Sequence, residues 1–257
     1  MFSDSDGYQR FMGRWSRLLA PLLLDYAGIG VGQAVLDVGC GTGALAHAAA
    51  RIPDVHVTGI DPSDEFLRVA RAGDGADTMR FVSGGAEELP FPTDSFDRTI
   101  SMLVLNFVDD PVRALAEMVR VTRPGGVVAS AVWDYGDGMG MLRTFWDAAR
   151  DIAPQAGTRD ERHMPLSRSG ELTDLWRTAG LREVEEKSLS ISTAFDSFDD
   201  YWQPFGFGQG PAGAMARALS DDQRADLRSR LHQRLIGDGP DRPFTLPARA
   251  WAVRGTC

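Results

Sequence analysis

Lysine occurs once in these 257 residues, as Lys187, and acids outnumber basic residues by 36 to 27. The formal net charge is −9, and no long basic run interrupts it. Polyanion binding is therefore disfavoured, and nucleic acid is not an expected partner. A lone lysine also confines lysine-based catalysis to one position. Cysteine is nearly as scarce: Cys40 and Cys257 give no disulfide framework. The four histidines, His47, His56, His163 and His232, lack metal-ligand spacing, so no metal site is expected. No apolar run approaches the roughly 20 residues needed to cross a bilayer. Ser3 to Arg10 is polar where a signal peptide would carry its apolar stretch. The expectation is a cytoplasmic protein without membrane insertion. Oligomeric state is not legible.

What is present fits a soluble globular chain with one domain. Hydrophobic residues make up 43% and charged residues 25%, enough to bury a sizeable core. The most informative stretch is Val35-Leu36-Asp37-Val38-Gly39-Cys40-Gly41-Thr42-Gly43. Its apolar start reads as a buried parallel strand. Alternating glycines then let the backbone turn sharply and approach a ligand without Cβ interference. The run from Ala44 to Arg51 reads as a helix that would aim free N–H groups at that ligand. Read loosely, Gly39-x-Gly41-x-x-Ala44 is a dinucleotide fingerprint. Read fully, with Asp37 before the turn, it also suits a cofactor bearing an ammonium and a carboxylate. Cys40 needs only to be small there, and it reads as packing rather than a nucleophile.

His56 to Ile60 reads as a second strand closed by Asp61, placed to accept hydrogen bonds from a ribose diol. Ser63 and Asp64 suit the cap of the next helix. A third strand near Met79 to Ser83 leads into Gly84-Gly85-Ala86-Glu87-Glu88-Leu89-Pro90-Phe91. A fourth, Arg98 to Met102, is followed by Leu103-Val104-Leu105-Asn106-Phe107. Asp110 and Pro111 open a helix that ends at Arg120-Val121-Thr122-Arg123-Pro124-Gly125-Gly126, before the strand Val127 to Trp133.

In this order, these motifs resemble the class I S-adenosylmethionine-dependent methyltransferases, and among them small-molecule enzymes similar to the quinone C-methyltransferases. The resemblance covers roughly residues 33 to 135. It implies a doubly wound α/β fold with a seven-stranded, mostly parallel sheet, a helical N-terminal segment and a lid insertion before the last strand. It implies S-adenosyl-L-methionine as cofactor and a small, partly apolar metabolite as methyl acceptor. Asp37, Gly39, Cys40, Gly41 and Gly43 would surround the amino-acid end, and Asp61 with Pro62 the ribose. Ala86 and Glu87 would meet the adenine, and Leu103 would lie beside the methionine portion. One departure stands out. Where the family pattern carries an acid for the adenine amino group, this chain has Gly85.

Outside the core, Tyr8 and Arg14 are candidates to line the cofactor site, the alternative being a surface helix start with Trp15 packed on the domain. The resemblance divides the chain into a helical cap (1–30), a cofactor core (33–135), remaining sheet and helices (136–193 and 244–257) and a lid-like insertion (194–243). Trp133 and Tyr135 follow a strand's carboxyl end, and Tyr201 and Trp202 fall in an aromatic-rich, glycine-flanked segment, so all four are substrate-side candidates. A satellite hydrophobic cluster is the other reading of that segment. His163, in a polar loop from Pro154 to Pro165, is the one candidate base. Ser169 is the expected cap of the following helix. Two other functions share the loop: a non-catalytic adenosyl-binding regulator, and an NAD(P)-binding oxidoreductase. The second lacks a Tyr-x-x-x-Lys pair, since residue 183 is Glu.

Overall fold

The computed structural model describes residues 12–153, 160–208 and 210–257; Tyr8 lies outside them. The chain opens with α1 (Arg14–Ala27), which buries Trp15, Leu19 and Leu23. Then come β1 (Ala34–Val38), α2 (Ala44–Ala49), β2 (His56–Asp61), α3 (Asp64–Arg71), β3 (Arg80–Ser83) and β4 (Phe96–Met102). They are followed by α4 (Pro111–Val121), β5 (Thr122–Trp133), α5 (Gly140–Ile152), α6 (Glu171–Thr178) and β6 (Arg182–Phe195). Three helices, α7 (Phe198–Gly206), α8 (Gly210–Ala218) and α9 (Asp221–Leu235), precede β7 (Phe244–Thr256).

Local chemistry accounts for the boundaries. Val35, Leu36 and Val38 of β1 are fully buried, as a central parallel strand requires. Ser63 Oγ accepts from the Phe66 amide and starts α3, with Asp64 and Glu65 in the first turn. Asp110 does the same for α4 through the Arg113 amide, with Pro111 just inside. Ser220 and Gln223 form the capping box of α9.

The sheet order is β3-β2-β1-β4-β5-β7-β6. The first five strands pair in parallel. β7 runs against β5: Cys257 bonds to Gly125 and Gly126, whereas Arg249 bonds to Asp134, so the numbering falls along one strand as it rises along the other. Chain order reverses between β1 and β4, which creates a switch point whose crevice lies beyond the carboxyl ends of those two strands. Among the described residues no helix is long and apolar enough to cross a membrane.

Two compact units emerge. The larger comprises Gly13–Val132, Pro165–Leu189 and Ala250–Cys257; the other is built mainly from Trp133–Met164 and Ser190–Arg249. Within the second unit the aromatic-rich segment is a packed core. Phe195, Phe198, Tyr201 and Phe205 are buried, and Phe205 stacks on Phe145 with centroids 4.4 Å apart.

One local reading requires correction. Gly170, at φ 89°, holds the N-cap position of α6, because the chain enters this helix through a left-handed turn. Ser169 Oγ instead donates to Glu186 at 2.6 Å. Of the polar loop that holds His163, residues 160–165 are described, and they mix buried and exposed positions. Asp160 and Glu161 are buried, because Arg143, Trp146 and the Ala212 amide supply their partners.

Candidate functional site

The larger unit carries a glycine loop at the carboxyl end of β1. Gly39, Gly41 and Gly43 all hold positive φ, at 72°, 54° and 87°. Gly39 needs its bare Cα twice over, since a Cβ there would come within 2.5 Å of the Val104 side chain. At Gly41 a Cβ would meet nothing within 4 Å, so the loop's middle is open to an incoming group. The loop is anchored behind by the Gly39 and Cys40 amides, which donate to Ile60 O at 2.8 and 3.0 Å.

Asp37 is buried at the end of β1, and its Oδ2 has no hydrogen-bond partner. Burial pushes its carboxyl up to about 8; a hydrogen bond from the Ala46 backbone opposes this, and the Asp61 charge adds to it. A buried carboxyl with one free oxygen beside a glycine turn is poised to receive a cation. Asp61, on the neighbouring strand, accepts from the Gly41 amide through Oδ2 and from the Ser63 amide through Oδ1, both at 2.9 Å. Its carboxyl is also raised by burial, against those two amides. Each oxygen keeps a lone-pair direction for a ligand. Pro62, next along, is exposed. Cys40 is buried, and burial drives its thiol well above the ordinary range, which removes it from nucleophilic chemistry.

Ala86 and Glu87 follow β3. One oxygen of Glu87 accepts from the Asp110 amide at 2.8 Å and so ties this segment to the start of α4. Gly85 is exposed, and a Cβ built there meets nothing within 4 Å. No steric pressure therefore explains its missing side chain. Leu103 leaves β4 at φ 65°, rare for such a residue, while its amide donates to Ala131 O at 2.7 Å. Arg14 sits in the first turn of α1 with its guanidinium 4.2 Å from the Trp15 ring centroid.

The remaining candidates belong to the second unit. Trp133 and Tyr135 are buried. Tyr201 is fully buried and donates its hydroxyl to Met141 O at 3.0 Å, while Trp202 is half-buried. His163 is exposed in the short 3-10 turn Glu161–His163. The structure thus gathers Asp37, Asp61, the glycines and Leu103 in one unit, and the substrate-side candidates in the other. Sequence reading gave Asn106 no role of its own. It is buried four positions beyond β4 with neither polar side-chain atom bonded, and the signal available was that the chain contains no other asparagine.

A methyltransferase-domain family profile matches residues 36–130. An uncharacterized protein of Mycobacterium tuberculosis is 33% identical over 174 residues, covering 65% of this chain and 63% of the relative. The chain thus spans under two thirds of that relative's length. Demethylmenaquinone methyltransferase of Geobacillus kaustophilus is 32% identical over 179 residues, 63% of this chain and 76% of the relative. Among solved structures, the Haemonchus contortus phosphoethanolamine N-methyltransferase 2, complexed with phosphomonomethylethanolamine and S-adenosylhomocysteine, superposes with TM-score 0.58 at 17% identity, covering 100% of this chain and 60% of that one. The chain belongs to the class I S-adenosylmethionine-dependent methyltransferase family.

Proposed function

We propose that this protein transfers the methyl group of S-adenosylmethionine to a small, partly apolar metabolite. The observation that carries the reading is the unpaired Oδ2 of buried Asp37 at the mouth of an all-positive-φ glycine loop. A pyrophosphate would set negative charge beside this acid, whereas the ammonium of an amino-acid cofactor complements it. When bound, that cofactor supplies an already activated methyl group. The protein then has to bind, align and exclude water, which is proximity catalysis.

In this reading Asp37 takes the ammonium, and the backbone of Gly39 to Gly43 lies along the amino-acid end. Asp61 receives the ribose hydroxyls with Pro62 beside it. Ala86 offers its backbone to the adenine, and Glu87 contributes the oxygen that Asp110 does not use. Leu103 and Arg14 border the methionine portion, and Tyr8 is assigned to the same end on resemblance alone. Trp133, Tyr135, Tyr201 and Trp202 are assigned to the acceptor on their places in the sequence alone. No step here requires His163.

Calorimetric titration with S-adenosylmethionine, S-adenosylhomocysteine, NAD and NADP tests the assignment. Micromolar binding of the sulfur nucleosides alone is the expected result. Binding of NAD or NADP in their place would overturn it.

A further inference from the structure

We propose that the Asn106 carboxamide binds the methyl acceptor directly, holding a neutral, hydroxyl-bearing group through both of its polar atoms. The inference rests on the methyl-transfer reading above. Asn106 is the sole asparagine of the chain. It is 4% exposed, and neither Oδ1 nor Nδ2 has a hydrogen-bond partner. A buried carboxamide without partners gives up its bonds to water for nothing, a standing cost to the ligand-free fold. An apolar residue of similar shape would avoid that cost, and the chain otherwise avoids asparagine altogether. The natural resolution is a ligand that completes the bonds.

Its position agrees. Asn106 lies in the 3-10 turn Leu105–Phe107, just past β4. β4 is one of the two strands flanking the switch point, where ligands bind beyond the carboxyl ends. Val104, two residues earlier, packs so closely on the glycine loop that Gly39 has no room for a Cβ. Leu103 before it holds φ 65°, and such strain persists only where surrounding structure over-determines it. The turn that carries the unpaired amide is therefore held firmly against the cofactor loop.

The chemistry of the amide defines the ligand class. A carboxamide offers one accepting oxygen and a donating NH2 group, and carries no charge. A hydroxyl next to a carbonyl or second hydroxyl satisfies both: the hydroxyl donates to Oδ1, and its neighbour accepts from Nδ2. A carboxylate, which only accepts, would leave Oδ1 facing another lone pair and is selected against. The charged groups of the cofactor are already matched by Asp37 and the loop amides, so the neutral amide remains for the acceptor.

Labelling the whole protein with 15N-asparagine yields a single side-chain amide pair in the NMR spectrum. S-adenosylhomocysteine is added first; absence of binding sinks the methyl-transfer reading itself, whatever Asn106 does. At saturating S-adenosylhomocysteine, catechol serves as the hydroxyl probe, with toluene and benzoate as controls. The expected result is a saturable shift of the Asn106 pair with catechol and none with either control. An unmoved pair with catechol overturns the proposal. Asn106→Leu supplies an independent arm. The ligand-free variant should melt about 2 °C or more higher, bind S-adenosylhomocysteine as the parent does, and bind catechol about tenfold more weakly. A lower melting temperature, or failure to fold, would show that Asn106 has protein partners and overturn the proposal. A tenfold loss of S-adenosylhomocysteine affinity would reassign the amide to the cofactor.

Discussion

Two buried acids, Asp160 in the second unit and Asp37 in the larger one, are treated in opposite ways. In the second unit, Asp160 accepts from both terminal nitrogens of Arg143 and from the Arg162 amide. Burial alone would raise its carboxyl, yet those partners bring it below the ordinary range. Glu161 is held by Trp146 Nε1 and the Ala212 amide. In the larger unit, Asp37 is left with an unbonded oxygen and a carboxyl near 8. A fully bonded buried acid belongs to the fold, because its energy is realised whether or not a ligand is present. An unbonded one is kept at a cost to the empty protein and is recovered only on binding.

That contrast should break most visibly at Arg143. Replacing it with leucine leaves Asp160 buried and unpaired, a loss of about 3–5 kcal/mol of stability. Denaturant unfolding should show this, while the folded fraction retains its S-adenosylhomocysteine affinity. A concurrent loss of affinity would mean that the two units are not energetically separable.

Asp37 should behave in the opposite sense. Its carboxyl rises from 3.8 to about 8 on folding. The protonated form therefore supports the ligand-free fold below about pH 4, and that support is lost as pH rises through about 8. The ligand-free melting temperature should fall across this window. Asp37→Asn should flatten the slope and raise stability at pH 8, yet weaken S-adenosylhomocysteine binding by roughly one to two orders of magnitude, the worth of a charged hydrogen bond. At pH 7, calorimetry in buffers of different ionisation enthalpy should detect proton release on binding, as the ammonium displaces the Asp37 proton. Binding without proton release would remove Asp37 from the ammonium.

The smallest effect sharpens the comparison at Gly85. Open space surrounds it, and it is absent from the positive-φ residues. Gly85→Asp should restore the acid that the family pattern places there and tighten cofactor binding about fivefold or more, a gain of about 1 kcal/mol or more. Unchanged affinity would show that Glu87 or solvent already serves the adenine amino group.

Much of this was legible along the chain. The glycine loop announces itself because left-handed turns demand glycine in a fixed rhythm. Ser63, Asp110 and Ser220 announce helix starts because capping is local chemistry. Asp37 and Asp61 stood out as candidates because each falls at or next to the end of an apolar strand. Other features were not. Ser169 lost its capping role to Gly170, since a side chain 17 residues away, Glu186, offered its hydroxyl a better partner. Nothing along the chain marked Asp160 and Glu161 as buried, because their partners Arg143, Trp146 and Ala212 come from other elements.

The sequence by itself determined the strand that carries the glycine loop, the family pattern and those helix starts that are capped by local chemistry, all set by interactions within a few residues. Tertiary structure alone decided which acids are bonded and which are left open, and that Asn106 is buried without a partner beside the switch point. Those outcomes depend on what distant segments bring to each group, and hydrogen bonding over such separations leaves no local pattern to read.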